Sequence, residues 1–264
     1  MDLELQGKRA LVTGSTAGIG FAVAEALAKE GASVIINGRT EARVKAAIDK
    51  LRSASPAAEV HALAADLGTA PGADQAIRQF PDLEILINNV GIFEPKPFEQ
   101  IPDEDWVRFF EVNVLSGVRL SRHYLPRMKE RNWGRIIFVS SESALQIPSE
   151  MIHYGMTKTA QLAIARGMAE TTAGTGVTVN AVLPGPTASE GVSQFVDTLA
   201  AGKNVSREQF EKDFFEQVRP SSLLKRFEKP EEIAALVAFV ASPLASAING
   251  AALRVDGGVV RSIG

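Results

Sequence analysis

The 264-residue sequence predicts an α/β fold, a doubly wound, mostly parallel seven-stranded sheet with helices on both faces. Three observations carry that expectation. Short apolar runs rich in Val, Ile and Leu alternate with longer amphipathic segments. Runs such as Ile85-Leu-Ile87 and Ile136-Ile-Phe-Val139 are apolar at consecutive positions, as a strand covered on both faces requires. The strand–helix rhythm also persists along the chain, which calls for parallel strands joined by right-handed crossovers.

In order, strands are expected at Arg9–Val12, Ser33–Asn37, Val60–Ala64, Leu83–Asn88, Arg135–Ser140, Thr178–Leu183 and Ala252–Val255. Helices are expected at Gly18–Glu30, Glu41–Ser53, Asp103–Arg131, His153–Thr172 and Pro230–Ala241. In the first of these, Ile19, Val23, Ala26 and Leu27 share one face at helical spacing. No linker rich in Gly, Ser or Pro divides the chain, so one domain over residues 1–264 is expected. The segment Thr187–Arg226 breaks the rhythm and carries Phe195, Phe210, Phe214 and Phe215 among polar residues. It follows the sixth strand's carboxyl end, where such folds place substrate-covering elements, so a cover is expected at about 187–226.

Composition removes several function classes. A hydrophobic share of 45% against 22% charged is that of a folded globular chain, and a net charge of −3 gives no reason to expect nucleic acid or an anionic membrane as partner. The absence of cysteine excludes disulfides, thiolate nucleophiles and Cys-ligated zinc. The three histidines, His61, His123 and His153, lack metal-ligand spacing, so no metal is expected. The acidic start Met1–Gly7 lacks the apolar run of a signal peptide, and no stretch reaches the roughly 18–20 apolar residues that span a bilayer. A soluble, cytoplasmic protein is the expectation.

The chemistry begins where the first strand runs into Thr13-Gly14-Ser15-Thr16-Ala17-Gly18-Ile19-Gly20 and opens a helix. Gly14 permits a tight turn, Gly18 lets the backbone approach a pyrophosphate, and Gly20 allows close packing behind the helix. The helix N-terminus offers unpaired N–H groups to the anion. No Lys follows the last glycine, so the loop is not a nucleoside-triphosphate P-loop. After the second strand, Asn37-Gly38-Arg39-Thr40 replaces the carboxylate that would accept from an NAD ribose. Arg39 supplies a permanent planar cation suited to a 2′-phosphate, so NADP is favoured, with NAD still possible.

Tyr154 and Lys158 stand at i and i+4, neighbours on one helical face. A cation at about 4 Å, worth on the order of 4 kcal/mol at an effective dielectric of 20, would lower the phenol's pKa by roughly three units before burial opposes it. Ser141 lies just past the fifth strand, where its hydroxyl could hydrogen-bond a substrate oxygen, with Ser140 and Ser143 as competitors and a capping role as the alternative. Asn88-Asn89-Val90-Gly91 follows another buried strand at the same edge. Asn113, within a helical stretch, is a candidate to hold water.

Taken in order, the glycine turn, Asp66-Leu67, Asn88-Asn-Val-Gly91, Asn113, Ser141, Tyr154-Gly-Met-Thr-Lys158, Pro184-Gly185 and Asp256-Gly-Gly258 resemble the short-chain dehydrogenase/reductase family. The resemblance implies a Rossmann-type fold and an NAD(P)-dependent interconversion of a secondary alcohol and a ketone. By it, Tyr154 exchanges the proton, Lys158 lowers its pKa and holds the nicotinamide ribose, Ser141 orients the carbonyl, and Asn113 holds a water in a proton relay. Asp66 and Leu67 would meet the adenine, Asn89 and Gly91 would line the cofactor cleft, and Pro184, Gly185, Thr187 and Ser189 would contact the carboxamide. It also implies a homotetramer joined through the long fourth and fifth helices and the last strand. Val90 stands where the family usually has Ala, and Ala17 occupies the place of a basic residue that many NADP-dependent members carry. His153 is expected at a helix start or facing the cover, outside the chemistry. Two alternatives differ in kind. A 3-oxoacyl-thioester reductase would dock an acidic carrier protein, for which no Arg/Lys cluster near the cleft is visible. An NADP-sensing regulator without turnover would be free to lose Ser141, Tyr154 or Lys158, all of which are present.

Overall fold

The computed structural model describes residues 2–190 and 205–263. Its strands are β1 (Arg9–Val12), β2 (Ser33–Gly38), β3 (Val60–Ala64), β4 (Ile85–Asn88), β5 (Gly134–Val139), β6 (Val177–Pro184) and β7 (Ala252–Val255). They form one sheet in the order β3-β2-β1-β4-β5-β6-β7, and every pairing is parallel.

Consecutive apolar residues are needed because alternate side chains enter different cores. On one face Ala10, Val12, Val34, Ile36, Ile85 and Ile87 pack with Val23 and Leu27 of α1 (Gly18–Lys29) and Ile233 and Val237 of the helix Pro230–Val240. On the other, Leu11, Ile35, Leu86, Ile136 and Phe138 meet Leu120, Tyr124 and Met128 of the helix Ser116–Glu130. Each such fully buried side chain contributes about 1.5–3 kcal/mol relative to exposure. Only the edge strand β7 alternates in exposure.

Helices α2 (Glu41–Ala54) and α6 (Ile152–Glu170) match expectation within a few residues. Helix α3 (Ala70–Gln79) was not expected, because its opening Ala-Pro-Gly reads as a turn. Pro71 sits in the first turn, where no N–H is needed, and Thr69 caps it by accepting from Gly72 N at 3.2 Å. The single helix expected over Asp103–Arg131 is instead α4 (Asp103–Phe110), a π turn at Glu111–Leu115, and α5 (Ser116–Glu130). The π turn falls on Asn113. Among the described residues, the remaining helices are α7 (Arg207–Asp213) and α8 (Pro230–Val240).

Of the expected cover at about 187–226, residues 191–204, with Phe195, lie outside the described residues. Phe215 is core, 2% exposed, and packs its ring 5.2 Å from Phe227. Phe214 stacks on Phe227 at 5.2 Å and meets Phe215 edge-on at 5.1 Å, so the three rings form one cluster. Among the described residues, no helix is long and apolar enough to cross a membrane.

Candidate active site

The sheet order reverses direction between β1 and β4, and the carboxyl ends of those strands open a crevice where such folds bind ligands. A cavity of about 650 Å³ occupies it. The glycine turn forms one end. Gly14 and Gly18 take φ of +63° and +56°, left-handed values that a side chain disfavours. A Cβ on Gly20 would stand 2.5 Å from Gly14 O and 2.6 Å from Asn89 Nδ2, so helix and turn approach as closely as glycine permits. No side chain caps α1, and Ala17, Gly18, Ile19 and Gly20 line the cavity. That is the donor set an anionic phosphate needs.

The loop's polar side chains mostly serve its own shape. Ser15 is fully buried and its Oγ accepts from Asn37 N at 2.9 Å, while Asn37 Oδ1 accepts from Gly14 N at 2.9 Å. Thr16 faces Gly38, where an added Cβ would meet its methyl at 2.5 Å. Asn89 lines the cavity and donates through Nδ2 to Thr13 O at 2.9 Å and Gly14 O at 3.2 Å. Ser15, Thr16 and Asn89 thus tie the turn to neighbouring strands.

Arg39 is exposed directly after β2. Arg43, in the first turn of α2, lines the cavity and was not singled out from the sequence. Asp66 is exposed just beyond β3, with Oδ1 accepting from Gly68 N at 3.0 Å, and Leu67 is core at 1% exposure. Neither lines the cavity. Pro184, Gly185, Thr187 and Ser189 do, as does Gly91. Glu228, unremarked in the sequence, braces that loop by accepting from Gly185 N at 3.1 Å.

At the cavity's centre stand Ser141, Tyr154 and Lys158. Ser141 caps a short 3-10 turn, Glu142–Ala144, by accepting from Ser143 N at 3.1 Å, so the capping and site readings are both true of it. Ser140 is turned away, donating to Lys158 O at 2.9 Å. Burial raises the Tyr154 pKa above the ordinary phenol value, and the charge of Glu142 adds to this; hydrogen bonding with Ser141 and the Arg219 cation work the other way. This corrects the expectation that Lys158 dominates the phenol. The Lys158 ammonium lies 5.6 Å from the Tyr154 ring centre and donates instead to Val139 O at 2.9 Å and Gln161 Oε1 at 3.4 Å. Burial pushes Lys158 down to about 8.

Asn113 is fully engaged. Its Oδ1 accepts from Ile92 N at 2.8 Å, and its Nδ2 donates to Ile92 O and Thr157 Oγ1, each at 3.0 Å. Its carbonyl accepts from Gln161 Nε2, so Gln161 joins Asn113 directly to Lys158. His153 stands at the start of α6, one of the two places expected for it. It is fully buried among aromatic rings, 4.0 Å from Phe109 and 6.0 Å from Trp106, and burial keeps its pKa below the usual value.

The cavity is also lined by Phe210, Phe214 and Phe227 and by a charge cluster in which Glu142 and Arg219 are buried and Glu150 is partly exposed. Arg219 donates from Nε to Glu142 Oε1 at 3.1 Å and from Nη1 to Glu150 Oε1 at 3.0 Å. Glu142 Oε2 accepts from Ser141 Oγ, from Ser143 N at 2.7 Å and from Ser143 Oγ at 3.0 Å. None of Glu142, Glu150 and Arg219 was singled out from the sequence, since 77 residues separate Glu142 from Arg219.

Residues 8–200 match the family model described as short chain dehydrogenase. The chain is 52% identical over its whole length to an oxidoreductase of Bacillus subtilis, YvaG, covering all of both chains. It is 35% identical to D-beta-hydroxybutyrate dehydrogenase of Cupriavidus necator, over 97% of this chain and 99% of the other. Among solved structures, L-sorbose reductase of Gluconobacter frateurii, complexed with NADPH and L-sorbose, superposes with a TM-score of 0.93 at 30% identity and full coverage of both chains.

Proposed function

Because the chain belongs to the short-chain dehydrogenase/reductase family of oxidoreductases, we propose that it interconverts a secondary alcohol and a ketone, with NADP as the cofactor. The observation that carries this reading is the meeting of Ser141, Tyr154 and Lys158 in one cavity with an uncapped helix N-terminus. When bound, the cofactor supplies or accepts the hydride. The chain's own residues do the rest. Gly18, Ile19 and Gly20 would offer backbone N–H groups to the pyrophosphate, and Lys158, anchored on Val139 O, would hold the nicotinamide ribose. Tyr154 Oη gives its proton to the carbonyl oxygen during reduction and removes it during oxidation. Like any phenol it is protonated at neutral pH, the form that reduction requires of the donor. Ser141 hydrogen-bonds the same oxygen.

NADP rather than NAD is supported by two arginines at the ribose end. Gly38 stands where an NAD-type carboxylate would, Arg39 follows it directly, and Arg43 lines the cavity from the first turn of α2. Among the described residues at the substrate end, the Arg219 cation is already committed to Glu142 and Glu150 and is not left to pair with an anion. That favours an uncharged carbonyl compound bearing hydroxyls, as the L-sorbose complex would suggest, over a carboxylate such as hydroxybutyrate.

A spectrophotometric panel tests this: L-sorbose, dihydroxyacetone, cyclohexanone, acetoacetate and acetoacetyl-coenzyme A, each with NADPH and NADH in parallel. Turnover of uncharged ketones with NADPH is expected, with Arg39→Ala weakening NADPH by about ten-fold or more and NADH little. Equal losses for both cofactors would remove the role of Arg39. Exclusive turnover of acetoacetate would remove the uncharged-substrate reading.

A further inference from the structure

Ser141 has one hydrogen to give, and in this structure it is given to Glu142 Oε2. Ser141 Oγ also accepts from Ser143 N at 3.1 Å and shares a hydrogen bond with Tyr154, so the hydroxyl is held in place before any substrate oxygen arrives. The accepting carboxylate is unusual in its surroundings. Glu142 is 4% exposed and takes four donors: Ser141 Oγ, Ser143 N, Ser143 Oγ and Arg219 Nε. Arg219 is itself 8% exposed and pinned from behind by Glu150 and by the Val218 carbonyl at 3.0 Å. A buried carboxylate that loses one donor of four remains paired, whereas one that loses its only donor is left charged and unsatisfied.

We propose that Glu142 is a positioning residue that holds the Ser141 hydrogen between turnovers and releases it to the substrate oxygen, with Arg219 keeping the carboxylate in place. As negative charge grows on that oxygen during hydride transfer, the Ser141 O–H rotates from Glu142 toward it. Glu142 keeps Ser143 N, Ser143 Oγ and Arg219 Nε. No bond other than hydrogen bonds changes, and the proton transferred in the reaction still comes from Tyr154. The inference rests on the reading of Ser141 and Tyr154 as the reacting pair.

The charged and titratable groups around Tyr154 make the test specific. Among the described residues they are Glu142 and Ser141 on the loop after β5, Lys158 on its own helix, Glu150 before that helix, and Arg219 after the π turn Phe214–Val218. Glu142 raises the phenol's pKa and Arg219 lowers it. Glu142→Gln and Arg219→Gln are therefore expected to move the alkaline limb of ketone reduction in opposite directions, down for the first and up for the second. The assay uses NADPH with L-sorbose, or with the ketone of the panel that the wild type reduces fastest. In Glu142→Gln, kcat should fall about ten-fold or more while KM for NADPH stays within about two-fold. A variant merely loosened by the change would lose both together.

Shifts in the same direction, or a kcat for Glu142→Gln within about two-fold of wild type, would overturn the proposal. If Glu142→Gln is insoluble, Ser143→Ala decides. It removes a hydroxyl donor from the same oxygen without altering charge, so kcat should fall with an unmoved pH profile, and an unchanged kcat overturns the idea. A wild type inactive on the whole panel would instead remove the functional reading beneath it. An active wild type with unaltered variants removes only the role of Glu142.

Discussion

Glu228 is a carboxyl that the fold buries without an ion pair among the described residues. It is 3% exposed, its Oε2 accepts from Gly185 N, and its Oε1 has no partner among the described residues. Burial pushes its pKa up to about 8, the Gly185 N–H opposes this, and the charge of Asp256 adds to it. Between its unfolded value near 4.5 and about 8, the folded chain holds a proton that the unfolded chain has lost. Stability from this group therefore falls as pH rises through that window and is level above it. Glu228→Gln, which stays neutral, should flatten the decline and raise the melting temperature at pH 9 while changing it little at pH 5. A thermal-melt series across pH 5–9 reads this directly, and an unaltered slope would show that Glu228 ionises freely in the fold. At this scale the sequence was legible where partners are local. Tyr154 and Lys158 share one helix, and Ser141 ends a strand whose apolar run is plain. Glu142 and Arg219 were not legible, because only the fold brings them together. Gln161 was nearer to hand, three residues beyond Lys158, yet nothing in spacing alone distinguishes it from an ordinary helical amide.

Among the elements, the glycine turn and α1 bear the strictest constraint. Gly20→Ala would put a Cβ 2.5 Å from the Gly14 carbonyl, a backbone atom that cannot swing aside. The turn must open, costing about 1–3 kcal/mol of stability and at least about ten-fold in NADPH affinity. Gly167→Ala in α6 is the control, since nothing lies within 4 Å of the added Cβ. It should stabilise by up to about 1 kcal/mol and leave binding unchanged. Fluorescence titration with NADPH and denaturant melts measure both, and equal effects would refute the close approach. Apolar periodicity located the seven strands and helices α1, α2, α6 and α8 to within a few residues, and α7 was not expected. It missed α3 because Pro71 and Gly72 imitate a turn, although proline is at home in a helix's first turn. It ran through the π turn at Glu111–Leu115 because one extra residue barely disturbs an amphipathic stripe. The consequence is chemical, since that turn carries Asn113 and turns its carbonyl to Gln161.

Across the whole molecule, the parallel order β3-β2-β1-β4-β5-β6-β7 explains why residues from distant parts of the chain share one cavity. Every parallel strand ends on the same edge, so the glycine turn after β1, Asn89 after β4, Ser141 after β5 and Pro184 closing β6 converge there. Helix α6 then presents Tyr154 and Lys158 to the same space from the side. That convergence was legible from the alternation of elements alone. What the far wall recognises was not, because Arg219, Glu142, Glu150 and the Phe210–Phe214–Phe227 cluster acquire meaning only by contact. The central claim is that the Tyr154 phenol is the proton donor to a carbonyl held in this cavity. The most direct measurement pairs steady-state ketone reduction with an NADPH fluorescence titration of Tyr154→Phe. The account predicts NADPH affinity within about three-fold of wild type and turnover lower by about a thousand-fold or more, since general acid catalysis is lost while the cofactor end is untouched. Turnover near that of the wild type would contradict it.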